Sequence, residues 1–418
     1  MEKNIHDPYS DFRQYSLLHG LTMHHAYIEK AYVYCTIVVD SGTFCDPLGK
    51  EGVAHFVEHL IAENGKMSYP KSYLFFRDKG GRVQFGITSF DRTSYSFKLP
   101  AKPDLFRKGL DIFFSMLFNV SNVKKFDEQK KIIIQEYHRK FKNTTDIETV
   151  YDLRGKVYGK KTLFARSISA LGNIDSIQAI TREDIKMFAQ NHYVPNNISL
   201  FVYGGLDVDT VIPIINDLSE QYCRPIAHMP KPSSFGKIIQ PRFGHGKTLE
   251  IESKRAQSEY LGVAILPYTT NNLLVSVLTT MLSEKLFQKA IIGKSNITYS
   301  IGASSFKNKK VFAIETVCDS FNSSHRDKII DMFYRCVRET TGNSGAFKRV
   351  VKTKIHDLMY LDSPNKDILE CVVDDVMNFG RVIPIAEMIE NYKSLTIEQL
   401  NDLVFFLDRE NMVHSVKG

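Results

Sequence analysis

The 418-residue chain contains no tryptophan and only six cysteines, Cys35, Cys45, Cys223, Cys318, Cys336 and Cys371, with no C-x-x-C pair among them. Their scatter argues against a disulfide scaffold and a cysteine zinc site, and points to packing roles in a reduced protein. No hydrophobic run approaches the roughly 20 residues of a membrane span, because Lys, Asp or Asn interrupts the longest apolar stretches. The segment Met1 to Asp7 lacks both the apolar core of a signal peptide and the Arg-rich, acid-poor character of a transit peptide, so the expected compartment is the cytoplasm. A formal charge of +7 is small for this length, the lysines are dispersed and no nucleic-acid motif occurs. Neither nucleic acid nor membrane is therefore an expected partner, although the positive excess favours acidic peptides. With 43% hydrophobic and 24% charged residues, the length suits an ordinary globular protein of two or three domains.

Strand-like runs at Tyr32 to Val39, Arg92 to Leu99, Ser199 to Tyr203, Tyr260 to Ile265 and Lys310 to Val317 alternate with longer helical stretches. That mixture predicts an α+β fold in layers. Between Arg224 and Lys247 the chain turns rich in proline and glycine, including Pro225, Pro230, Pro232, Gly236, Pro241, Gly244 and Gly246. This composition reads as a linker over 225–247, separating a domain over 1–224 from one over 248–418. Each half begins with strands and ends in a helix opened by a similar cap, Thr181-Arg182-Glu183-Asp184 in one and Thr396-Ile397-Glu398-Gln399 in the other.

The most specific local pattern is His55-Phe56-Val57-Glu58-His59. On a helix, residues four apart stand one above the other, so His55 and His59 can grip one metal ion. Glu58 shares that face and can reach a metal-activated water without being a ligand, the general-base position of the H-x-x-E-H arrangement. Val53, Phe56, Val57, Leu60 and Ile61 supply the apolar side of a buried helix. The plain alternative is a core helix carrying two hydrogen-bonded histidines. A catalytic zinc site needs a third protein ligand, and a candidate is Glu136, near the middle of the helix-forming stretch Phe126 to Tyr137.

With these residues in place, the chain resembles the pitrilysin/insulinase family of zinc peptidases, which includes the mitochondrial processing peptidase and bacterial members of similar length. The resemblance rests on Gly52-Val53-Ala54-His55-Phe56-Val57-Glu58-His59, on Glu136 lying 77 residues after His59 (136 − 59), and on several weaker matches in the same order. These are Gly80-Gly81 with Thr88, Thr93 and Tyr95, then Tyr158-Gly159, Leu171-Gly172 and Tyr193-Val194-Pro195-Asn196-Asn197.

The resemblance implies two homologous domains, each a mixed β-sheet covered by helices and joined by the linker, together forming half of a clamshell chamber. It implies an active first domain and an inactive second one. His55, His59 and Glu136 would hold one Zn2+ per chain, Glu58 would be the base, and Tyr299 would assist the oxyanion. Peptides would bind along the edge strand that includes Gln84, Phe85, Gly86 and Thr88. A chain with two such domains is expected to pair with itself or with a homologous chain.

Three positions depart from the family pattern. Phe85 and Gly86 stand where the family carries asparagine and alanine, which moves any polar contact toward Gln84. Gln129 replaces the glutamate that supports a metal-binding histidine; its amide oxygen can still accept an imidazole N–H but brings no charge. Ile292 stands in place of an arginine seven residues before Tyr299, with Lys289 and Lys294 as nearby cations. The expected activity is hydrolysis of peptides or unfolded segments, with peptide processing one form of it. The alternative is a catalytically silent structural or peptide-binding subunit of a heteromeric peptidase.

Overall fold

The computed structural model describes residues 7, 9–119, 123, 125–140, 170–223, 248–251, 258–266, 269–292, 298, 301–307, 312–359 and 366–417. The expected linker, Tyr299 and Lys294 lie outside the described residues. Those described form two compact units, one from residues up to 140, 170–223 and 366–384, the other from 248–359 and 385–417.

In the first unit, β1 (Arg13–Ser16), β2 (Thr22–Tyr27), β3 (Tyr32–Val39), β4 (Arg82–Thr88), β5 (Thr93–Pro100) and β6 (Ile198–Gly204) form one sheet in the order β1-β2-β6-β3-β5-β4. Only β2 and β6 run parallel; the other neighbours are antiparallel. Along β5, Thr93, Tyr95, Phe97 and Leu99 are buried while the residues between them are partly exposed. That period of two marks a sheet with one face packed and the other facing outward. The helices are α1 (Val53–Glu63), α2 (Tyr69–Asp78), α3 (Pro103–Leu117), α4 (Phe126–Lys140), α5 (Ile174–Ala179), α6 (Arg182–His192) and α7 (Val208–Tyr222). Phe76 of α2, Phe97 of β5 and Phe106 and Phe113 of α3 pack ring against ring at 5.5–6.0 Å. Each such buried ring contributes about 1.5–3 kcal/mol, enough to fix the helices on the sheet.

The second unit repeats this plan with one strand fewer among the described residues. Strands β7 (Thr248–Ile251), β8 (Ser258–Leu266), β9 (Ile301–Lys307), β10 (Phe312–Phe321) and β11 (Met412–Lys417) lie in the order β7-β11-β8-β10-β9. Again one pair, β7 with β11, is parallel. Helix α8 (Asn272–Phe287) follows β8 as α1 follows β3, and α9 (Arg326–Thr340) follows β10 as α3 follows β5. The chain continues through α10 (Ser344–Met359), α11 (Lys366–Phe379), α12 (Ile385–Lys393) and α13 (Ile397–Val404).

The two similar cap sequences open equivalent helices. Thr181 and Asp184 exchange side-chain to backbone hydrogen bonds at the start of α6, and Thr396 and Gln399 do the same at the start of α13. Each box satisfies otherwise orphaned N–H groups, worth about 1 kcal/mol, and each helix leads to the last strand of its sheet. All the expected strand runs are strands, Tyr32–Val39 with the same bounds and the others within a few residues. Helix α11 follows the expected linker in sequence yet belongs to the first unit, where its Asp374 pairs with Arg92. Among the described residues no helix is long and apolar enough to cross a membrane.

Candidate metal centre and active site

Helix α1 begins at Gly52, whose φ of +102° lies in the left-handed region that favours glycine. A β-carbon there would also come within 2.5 Å of the Leu171 carbonyl oxygen. The orphan N–H groups of this first turn are taken by Asp46, which accepts from Gly52 at 2.7 Å and from Ala54 at 2.8 Å. Val53, Phe56, Val57, Leu60 and Ile61 are fully buried, which leaves His55, Glu58 and His59 on the remaining face. Phe56 stacks on Phe126 at 4.8 Å, fixing the start of α4 against α1. Glu136, three turns along α4, thereby reaches the histidines.

The three donor atoms converge. His55 Nε2 lies 3.8 Å and His59 Nε2 3.5 Å from Glu136 Oε2, and all three donors are within 4.8 Å of one another. Bonds of about 2.0–2.1 Å at tetrahedral angles place donor atoms about 3.4 Å apart, so this set would hold a zinc-sized cation after a small inward shift of the side chains. Gln129, seven residues before Glu136 on the same face, meets His59 Nδ1 with its Oε1 at 3.1 Å. With Nδ1 as the donor, the Nε2 lone pair of His59 is left for the metal. His55 Nδ1 has no such hydrogen-bond partner among the described residues.

Electrostatics agree with the geometry. Burial holds His55 down at about 3, with His59 adding to the effect, so its imidazole is neutral and available as a ligand. Burial alone would lower His59, but its pairing with Glu136 and the charge of Glu58 outweigh that and raise it. The same pairing, ahead of all other causes, lowers Glu136. A bound cation would take over the electrostatic role of this pairing. Burial pushes Glu58 up to about 7, opposed by His59 and by the hydroxyl of Thr88, which donates to its Oε2 at 3.2 Å.

The residues expected along the edge strand have distinct surroundings. Gln84 is exposed, and its amide donates to the Gly86 carbonyl at 2.9 Å. Phe85 is 8% exposed and packs on Tyr69, Phe76 and Phe113, so its side chain lies in the core rather than along the edge. The register explains it: Val83 pairs with Phe97 and Gln84 with Ser96, so Phe85 falls opposite Tyr95 on the packed face, and a bulge before Ile87, which pairs with Ser94, leaves Gly86 beside it. Gly86 lies against Glu58, and Thr88 bonds it. Lys289, considered as a stand-in for the missing arginine, pairs with Glu339 of α9. Asp46, the helix cap, has no local sequence signature because it reaches the helix across a loop. A glycine inside a strand pattern does signal a bulge, and Gly86 is one.

Comparison with known proteins agrees with this architecture. The profile of the insulinase family (peptidase family M16) matches residues 24–153, and that of the peptidase M16 inactive domain matches residues 179–352. His55, Glu58, His59 and Glu136 all fall in the first match. The chain belongs to the insulinase (M16) peptidase family. It is 22% identical over 203 residues to a probable zinc protease PqqL of Haemophilus influenzae, covering 46% of this chain and 21% of that protein. The chain thus spans about a fifth of that relative's length. It is 22% identical over 407 residues to the mitochondrial-processing peptidase subunit beta of Blastocladiella emersonii, covering 90% and 82% of the two chains. A protease from Helicobacter pylori shares the fold with a TM-score of 0.84 at 15% identity, covering 99% of this chain and 100% of the other.

Proposed function

We propose that the chain is a zinc-dependent endopeptidase or oligopeptidase acting on peptides or unfolded segments, peptide processing included. The observation that carries this reading is the convergence of His55, His59 and Glu136 at 3.5–3.8 Å, with Glu58 Oε2 itself 3.8 Å from His55 Nε2. A zinc ion held by those three groups supplies Lewis acidity that polarises a water and the scissile carbonyl. Glu58, raised toward neutrality, is matched to accept the proton of the attacking water and to hand it to the leaving amine. Gln129 keeps His59 in register for its role. Tyr299 is assigned to the oxyanion by resemblance alone. Strand β4 ends the order of its sheet among the described residues, which supports binding of an extended peptide as an added strand.

Pairing with a second copy or with a homologous chain forms part of this reading, supported by a relative that is itself a subunit. None of the six cysteines is joined in a disulfide among the described residues, which supports work in a reducing compartment, the cytoplasm.

The test is a peptide-library digest by the full chain, with its zinc content measured alongside. The parent should hold one zinc per chain and cut peptides until a chelator is added. Glu58→Gln should keep the metal and lose roughly 10²–10⁴-fold in rate, the usual value of a positioned base. Cleavage that survives Glu58→Gln defeats the mechanism. A chain that holds no zinc and cuts nothing points instead to the silent, peptide-binding subunit.

A further inference from the structure

Glu58 is a long, flexible side chain, and a base must be held in place to act. Fixing a glutamate costs up to about 1.5–2 kcal/mol of rotamer freedom, so something must specify its position. Two neighbours on β4 bear on it, one by leaving the space its carboxylate fills and one by a hydrogen bond. Because of the bulge at Phe85 and Gly86, the α-carbon of Gly86 turns toward α1 instead of alternating away from it. A β-carbon built at Gly86 would fall 2.2 Å from Glu58 Oε1, 2.3 Å from its Cγ and 2.5 Å from its Cδ. The carboxylate therefore occupies the volume that any other residue at position 86 would fill. Where the family pattern has alanine, this chain has no room for one while Glu58 stays as placed. Two residues further on, the Thr88 hydroxyl donates to Oε2 at 3.2 Å. Phe85, anchored at 4.9 Å from Tyr69 and 5.7 Å from Phe113, holds the bulge from the core side.

We infer that Gly86 and Thr88 are positioning residues for Glu58, a glycine seat and a hydroxyl clamp that the strand bulge brings to the same carboxylate. The inference rests on the proposed peptidase reading for its kinetic consequences, but not for its structural one. If Thr88 were only a strand residue with a satisfied hydroxyl, its loss would leave Glu58 where it is. Displacing a catalytic group by about 1 Å can cost on the order of 10²-fold in rate, so the seat has leverage.

The experiment compares Thr88→Val, Thr88→Ser and Gly86→Ala in the full chain by steady-state peptide hydrolysis, thermal unfolding and crystal structures of the chelator-treated proteins. Thr88→Val should lower kcat about 10-fold with KM within about twofold and little change in Tm, and Thr88→Ser should recover most of the loss. Gly86→Ala should lower kcat by about 10²-fold, and its crystal structure should show the Glu58 carboxylate in another rotamer. The inference is overturned if Glu58 keeps its place in both Thr88→Val and Gly86→Ala, or if Thr88→Val changes KM alone. Should Gly86→Ala fail to fold, the Thr88 pair decides the matter. A parent that holds zinc but cleaves no peptide would remove the peptidase reading, while the Glu58 rotamers would still judge the seat.

Discussion

In each unit the first α-helix meets the end strand of its sheet, α1 on β4 and α8 on β9, yet the two contacts have opposite chemistry. In the second unit, Ser283 of α8 donates to the Ala303 carbonyl of β9 at 2.7 Å and accepts from its N–H at 2.9 Å. The strand itself pairs with β10 in unbroken register. The contact is closed, because the Ser283 hydroxyl both gives and accepts a hydrogen bond there. In the first unit the equivalent contact is between Glu58 of α1 and a bulged β4, with glycine at the crowded point and a single hydroxyl as partner. A carboxylate there keeps unsatisfied capacity and a raised affinity for protons. The same layered plan thus makes an inert joint or a reactive one, and the deciding features are one extra residue in a strand and what the helix presents to it.

The second unit also buries a histidine, but pairs it with two tyrosines. His414 Nδ1 meets the Tyr260 hydroxyl at 2.8 Å, and its Nε2 meets the Tyr334 hydroxyl, all three residues being nearly inaccessible. Burial keeps this imidazole down at about 4, with Arg409 adding to the effect. In the first unit, by contrast, the buried imidazoles face a carboxylate and one another, an arrangement suited to a cation rather than to closure.

The widest test of this contrast is removal of Glu136. Glu136→Ala should abolish zinc binding at micromolar metal and reduce peptide cleavage by at least about 10³-fold, because two imidazoles alone do not make a closed ligand set. Metal analysis of the dialysed protein checks it, and stoichiometric zinc in that variant would break the assignment.

A smaller effect is expected at His414. Its folded pKa is depressed below the unfolded value near 6.5, so the neutral ring contributes stability that is present above pH 6.5 and lost as pH falls toward 4. His414→Leu leaves two tyrosine hydroxyls buried without their partner and should cost about 2–4 kcal/mol at pH 7.5. That deficit should shrink between pH 6.5 and 4.5, since the variant has no imidazole to protonate on unfolding. Denaturant unfolding at several pH values measures it, and a deficit independent of pH would contradict the burial argument.

The smallest change belongs to Ser283→Ala, which removes the closed joint in the second unit. A loss of about 1 kcal/mol is expected, with zinc content unchanged. A large loss of metal on this substitution would mean that the two joints are not independent.

Much of the scaffold was legible in the residues alone. The alternation in β5, the spacing of His55 and His59 and the threonine caps at Thr181 and Thr396 are local patterns whose physics operates within a few residues. The edge strand was harder. The resemblance places Phe85 beside a bound peptide, whereas its position opposite Tyr95 on the packed face of the sheet sends its ring into an aromatic cluster with α2 and α3. Gly86 carried the available hint. Nothing local ties Asp46 to the N-terminus of α1, or α11 to the first unit, because those contacts join segments separated by loops or by hundreds of residues.

The sequence by itself determined which groups could bind a cation and which face of α1 they share, since helical periodicity needs no tertiary partner. Only the tertiary structure decided that Glu136, from a helix 77 residues downstream, comes within 3.5–3.8 Å of both imidazoles, and that Glu58 rests on a glycine under a threonine hydroxyl. Those distances are set by how α1, α4 and β4 pack, through Phe56 on Phe126 and the strand bulge, and packing is a property of contacts that the linear order of residues does not contain.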